Sequence, residues 1–206
     1  MVDVSEFNRL AGPKRGKVLA ERVEAAAVAF ANERFPEARR LLRPLVDEVP
    51  GSVTVRELLG LTQYRLGNWR EAARQLEALV EIDRSNVDQH PVLADCYRAV
   101  GKHRRVDELW AELKEASPSA ELVAEGRIVL AGSLADRGQL SDAVAVMAKG
   151  WKPPARPGTH HLRRAYVLAD LQERVGDVPA ARALMGWIAH HDPAFADAAD
   201  RSASMR

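Results

Sequence analysis

The chain has little of what usually marks a site. Cys96 is its single cysteine, which excludes an internal disulfide and any multi-thiolate zinc site; a small apolar residue inside a helix is its expected role. Charge of one sign is also missing. Thirty Lys and Arg stand against 29 Asp and Glu, for a formal charge of +1. There is then no global field to draw the chain onto nucleic acid or an anionic membrane. No apolar run approaches the roughly 18 residues of a membrane span, and residues 1–18 mix acids and bases without the apolar core of a signal peptide. These absences predict a cytoplasmic protein with no membrane or nucleic-acid partner.

Constellations that carry chemistry are lacking too. His160-His161 and His190-His191 are neighbours in sequence, whereas two metal ligands on one helix face need a spacing of three or four. The sequence leaves open whether the pairs meet in space, and no metal is expected. His90 and His103 lie six before and seven after Cys96, which does not give a thiol its base. Gly12 and Gly16 are not followed by the Gly-Lys-Ser/Thr of a phosphate loop. No cofactor and no enzymatic activity are expected.

What is present is a repeat. Small residues recur at Ala26, Gly60, Ala94, Ala131 and Ala169, at intervals of 34, 34, 37 and 38, and a second track at Ala38, Ala72, Val106, Ala143 and Ala181 keeps the same step. Large apolar residues fill the space between: Leu59, Leu93, Leu130 and Leu168 on one set of helices, Leu42, Leu76, Trp110, Met147 and Met185 on the other. Small set against large is what ridges-into-grooves packing of helices requires. Gly67, Gly101, Gly138 and Gly176 mark the turn inside each pair, with Glu33 the exception, and Pro50, Pro118, Pro153-Pro154 and Pro193 stop second helices, with Arg84 at the remaining junction. No strand-like alternation competes.

Within this frame, Leu59-Gly60, Gly67-Asn68-Trp69, Glu71-Ala72, Leu76, Leu79 and Asp83 resemble a tetratricopeptide repeat. The resemblance implies an all-α, right-handed superhelical solenoid of antiparallel helix pairs. Five repeats are expected over residues 19–193 (19–52, 53–86, 87–120, 121–157 and 158–193), after a flexible lead-in over 1–18 and before a capping helix and tail over 194–206. Glu121 to Val123 are extra helix formers that lengthen the fourth repeat's first helix. Gly150 to Gly158, with its prolines, is predicted to be a protruding non-helical connection. The alanine- and arginine-rich composition is similar to that of a high-GC bacterium.

The resemblance also implies a function: a non-enzymatic adaptor or scaffold that holds a peptide or helix against a concave wall built from first helices. The candidate lining is Val23 and Phe30 from the first pair, Glu57, Leu61, Tyr64 and Arg65 from the second, and Asp88, Asp95 and Arg98 from the third. Glu125 and Asp136 come from the fourth, Tyr166 and Asp170 from the fifth. Apolar anchors at the N-terminal end and carboxylates toward the centre suit a basic or amphipathic partner. The alternative is a solvated face with Phe30 and Tyr64 covered by the array's own N-terminal residues. The carboxylate clamp of chaperone-binding relatives is not reproduced: its positions hold Val23, Ala27, Leu58, Asp88 and Val92, and frames shifted by one or two repeats fail as well. Trp151, beside Lys152 and Arg156, is a candidate hot spot on the connection, with folding back onto the solenoid the alternative. A second functional reading is a self-associating module, a homodimer, or a regulatory subunit using an end face or residues 150–158.

Overall fold

Four glycines and one glutamate fix the chain's rhythm. In the computed structural model, which describes residues 2–205, Gly67, Gly101, Gly138 and Gly176 all have φ between 72° and 89°, and Glu33 takes φ 58° at the matching turn of the first pair. A left-handed residue lets the amide after it bond back into the last helical turn, as Asn68 N–H does to the Gln63 carbonyl (2.9 Å) and Arg34 N–H to Ala29 (2.9 Å). That reverses the chain within three residues.

Twelve helices and no strand are found among the described residues. They fall into two compact units that divide between Lys102 and His103. The first holds α1 (Val4–Ala11), α2 (Pro13–Ala31), α3 (Phe35–Glu48), α4 (Val53–Arg65), α5 (Trp69–Ile82) and α6 (His90–Ala99). In the second are α7 (His103–Ala116), α8 (Ala120–Asp136), α9 (Leu140–Ala148), α10 (Thr159–Arg174), α11 (Val178–His191) and α12 (Ala198–Ser204). Within each unit, helices pack on their sequence neighbours, and successive first helices also touch, α2 on α4, α4 on α6, and α8 on α10. Side-chain caps set several starts: Ser52 accepts from Val55 N–H (3.2 Å), Ser119 from Leu122 (3.1 Å) and Asp177 from Ala180 (3.2 Å).

The small-residue tracks are the helix contacts. Ala26, Ala131, Ala169, Ala38, Ala72, Val106, Ala143 and Ala181 are wholly buried. A Cβ built on Gly60 would lie 2.6 Å from Leu76 Cδ2, so the second repeat packs closer there than alanine allows. The extension before the fourth repeat is helical, since α8 begins at Ala120.

Three expectations are corrected. Residues 1–18 are not a flexible lead-in: α1 fills 4–11, α2 begins at Pro13, and Phe7 is wholly buried. The cap expected from 194 is helical only from Ala198, because Ala196 takes φ 49°, a conformation that breaks a right-handed helix. The connection between α9 and α10 is non-helical, but its aromatic does not protrude. Trp151 packs edge-on to Trp187 (centroids 5.7 Å) under the Arg164 guanidinium (5.3 Å).

Candidate functional site

The first-helix face of the first unit already carries a helix, and it is the chain's own. α1 folds back along α2 through Gly12 and lies against positions expected to line the groove. Phe7 is buried with Leu19, Ala20, Val23, Val49 and Val55. Val2 N–H donates to Glu24 of α2 (2.7 Å). Glu6 accepts from Ser52 Oγ (2.8 Å), from Thr54 N–H (3.3 Å) and from the Thr54 hydroxyl, tying α1 to the start of α4. The close approach needs Gly16, where a Cβ would sit 2.7 Å from Asn8 N and 2.8 Å from Phe7 C, both backbone atoms.

Val23 is therefore corrected from anchor to core: it is 0% exposed, and no partner can touch it while α1 is seated. Farther along the same face the candidates stay partly open. Phe30 is half-buried, edge-on to Phe35 at 5.4 Å. Leu61 is half-buried on α4. Tyr64 stacks edge-on to Trp69 (5.2 Å) and donates its hydroxyl to Asp95 of α6 (2.7 Å); burial, then that carboxylate, holds its phenol far above the usual tyrosine range.

Most of the polar candidates are tied to neighbouring segments. Glu57 of α4 accepts from Gln89 Nε2 (2.7 Å). Asp95 also meets Arg98 at 3.2 Å. Arg65 pairs with Glu33 (3.2 Å) and lies over the Phe35 ring (4.5 Å). Asp88 is exposed just before α6.

The second unit repeats the theme at its far end. Arg163 of α10 forks onto Glu125 of α8 at 2.6 and 2.8 Å. Asp136 is exposed at the end of α8. Tyr166 and Asp170 are engaged by the cap: the Tyr166 hydroxyl donates to Asp197 (2.7 Å), and Arg201 of α12 reaches Tyr166 (3.2 Å), Asp170 (3.2 Å) and Glu173. Unlike Val23 they are not buried, the Asp170 side chain being 42% exposed, but both are engaged by α12. A terminal helix of the same chain lies on the first-helix face that each was expected to present.

With this geometry in place, comparison with known proteins adds two findings. A family model described as Tetratricopeptide repeat matches residues 29–96. Over those residues the sequence is that of a tetratricopeptide repeat. No curated protein matches its sequence. Among solved structures, a tetratricopeptide protein of Thermus thermophilus is 19% identical, with a TM-score of 0.64 over 91% of this chain and 98% of that one. PilF of Pseudomonas aeruginosa is 15% identical, TM-score 0.61, over 93% and 90%, and MamA is 16% identical, TM-score 0.61, over 82% and 94%. At such identities the likeness is one of fold: an all-α tetratricopeptide-type solenoid.

The remaining candidates take ordinary places in these repeats. Cys96 is buried on α6, and burial, followed by the Asp95 charge, pushes its thiol up to about 12, the opposite of an activated nucleophile. Among the described residues no three His, Cys, Asp or Glu side chains come together as a metal site. No described helix is long and apolar enough to cross a membrane. α1 lies inside the expected lead-in, just before the helix-breaking Gly12-Pro13 pair. The signal for it was Asp3, which caps α1 by accepting from Ser5 N–H (2.8 Å), followed by Val4, Phe7, Leu10 and Ala11 at helical spacing.

Proposed function

We propose that the protein is a non-enzymatic scaffold that holds an amphipathic helix or peptide of another protein on the first-helix face formed by α2, α4 and α6. One observation carries this reading. That face seats α1, an eight-residue helix, by burying its Phe7 and donating three hydrogen bonds to its Glu6 carboxylate, which is how an amphipathic helix docks in a groove. The partner lies beyond α1, over Phe30, Leu61 and Tyr64. Glu57, Asp88 and Asp95 give it basic positions to meet, because their contacts with Gln89, Tyr64 and Arg98 leave the patch net negative. A cytoplasmic setting belongs to the reading and suits one unpaired thiol.

Self-association through residues 150–158 or an end face lacks a comparable observation. Trp151 faces inward, and α1 and α12 lie over the first-helix faces at the two termini. The test is charge reversal, Glu57→Arg with Asp95→Arg, read against a synthetic basic amphipathic helix. Far-ultraviolet helicity should hold while affinity falls about tenfold or more. Unchanged affinity contradicts the proposal.

A further inference from the structure

The opposite side of the first unit presents a surface of contrary charge. A cleft of about 680 Å³ opens between the second helices α3 and α5 and is lined by Arg39, Arg43, Arg70, Arg74, Trp69 and Gln63, among others. The arginines form two pairs at i, i+4 spacing, Arg39 with Arg43 on α3 and Arg70 with Arg74 on α5, so each pair projects from one helix face. Arg40 adds a fifth guanidinium in an adjoining recess with Pro36, Pro44 and Asp47.

Little in the chain neutralises them. Asp47 and Glu71 are the carboxylates of the cleft, and Glu71 is held by Arg74 (2.6 Å) and Gln75 (2.8 Å). Burial alone would raise the Glu71 carboxyl, but those hydrogen bonds and the charges of Arg74 and Arg43 keep it below the usual range. Among the described residues no carboxylate makes an ion pair with Arg39, Arg40, Arg43 or Arg70.

The floor is polar as well. Gln63 and Gln75 are 6% and 1% exposed there. Gln63 accepts from Asn68 (2.8 Å), and Gln75 accepts from Arg56 (2.7 Å). These bonds hold a hydrogen-bonding floor beneath unpaired guanidinium groups.

We propose that this cleft docks an acidic segment of another protein, whose carboxylates meet the arginine pairs of α3 and α5. Guanidinium forks match discrete carboxylates. The volume suits a few side chains. A continuous phosphate backbone would need a wider basic field than this cleft, and the chain's charge of +1 supplies none. The arginine pairs lie outside the first-helix candidates, so this site can stand or fall without that face, although Trp69 of its lining stacks on Tyr64.

The experiment uses the full chain and a labelled helical peptide of about twelve residues with glutamates at i, i+4 spacing, followed by fluorescence anisotropy. A basic peptide and a single-stranded oligonucleotide of similar length serve as comparisons. Saturable binding of the acidic peptide that weakens with salt is expected. Arg39→Glu with Arg43→Glu should lower that affinity at least about tenfold. Arg104→Glu with Arg105→Glu on α7 should leave it within about twofold. The basic peptide of the preceding test should bind the α3 variant as it binds the parent, which separates failure of this site from failure of the first-helix face. Should the α3 variant lose helicity, Arg70→Gln replaces it with an expected loss of about threefold. The proposal is overturned by an acidic peptide that does not saturate, by equal losses in the α3 and α7 variants, by tighter binding of the oligonucleotide, or by light scattering that shows the cleft filled by a second copy of this chain.

Discussion

Phe7→Ala probes how α1 is held. Phe7 is 0% exposed in a cluster with Leu19, Val23 and Val55. Truncating a buried phenylalanine costs roughly 3 to 5 kcal/mol when the surrounding structure stays in place. α1 need not stay. It is eight residues long, it joins α2 through Gly12, and its other ties are the Val2 and Glu6 hydrogen bonds. Once the loss exceeds the free energy with which α1 docks, the helix leaves and further loss no longer registers in global stability. Two readouts should then separate. Denaturant unfolding should shift by less than the full truncation value, below about 3 kcal/mol, whereas amide exchange protection over Val4–Ala11 should collapse while α4 and α5 keep theirs. Gly16→Ala should give the same pattern by a different route, since its Cβ would strike the α1 backbone at 2.7 Å and 2.8 Å. The reasoning is refuted if protection of α1 survives Phe7→Ala, or if protection falls equally across the unit with the full truncation cost.

Other predictions concern packing, turns and the thiol. Glu33→Gly should raise stability by about 0.5 to 1 kcal/mol in thermal unfolding, because relief of a left-handed non-glycine residue exceeds glycine's added chain entropy and loss of the exposed Arg65 pair. Gly126→Ala should destabilise by about 1 to 3 kcal/mol, measured by urea unfolding, since its Cβ would fall 2.3 Å from Leu113 Cδ2 beside Trp110. Cys96 should resist alkylation in the native state at pH 8 and react on unfolding. Its folded pKa is raised from 9.0 to about 12, so its contribution to stability is whole below pH 9 and is lost as pH rises toward 12.

Most of the fold was legible because the repeat writes each helix contact several times over. Ala26, Ala131 and Ala169 hold one packing role, and the Gly67, Gly101, Gly138 and Gly176 turns one backbone conformation, so errors at single positions such as Glu33 did not disturb the register. The termini have no such redundancy. α1 occurs once, and its polar residues Glu6 and Asn8 find their neighbours at the start of α4 and at Gly16, outside their own helix. The same non-local pairing hid the state of the candidate groove: that Val23 is core and that Tyr166 answers to Arg201 depend on segments outside the repeats. The arginine cleft was hidden differently. Arg39 and Arg43 are about thirty residues from Arg70 and Arg74 in a chain with balanced charge, and only the packing of α3 and α5 on the two sides of α4 brings the two pairs to one opening.

The central claim, that the first-helix face of the first unit holds another protein, is tested most directly by a photo-crosslinking side chain placed at Leu61 in the native cell. Val175, exposed at the end of α10, serves as the control position. A discrete adduct at Leu61 that is absent at Val175, and that is lost with Glu57→Arg and Asp95→Arg, is the result expected. No adduct at Leu61, or the same adducts at both positions, would contradict the account.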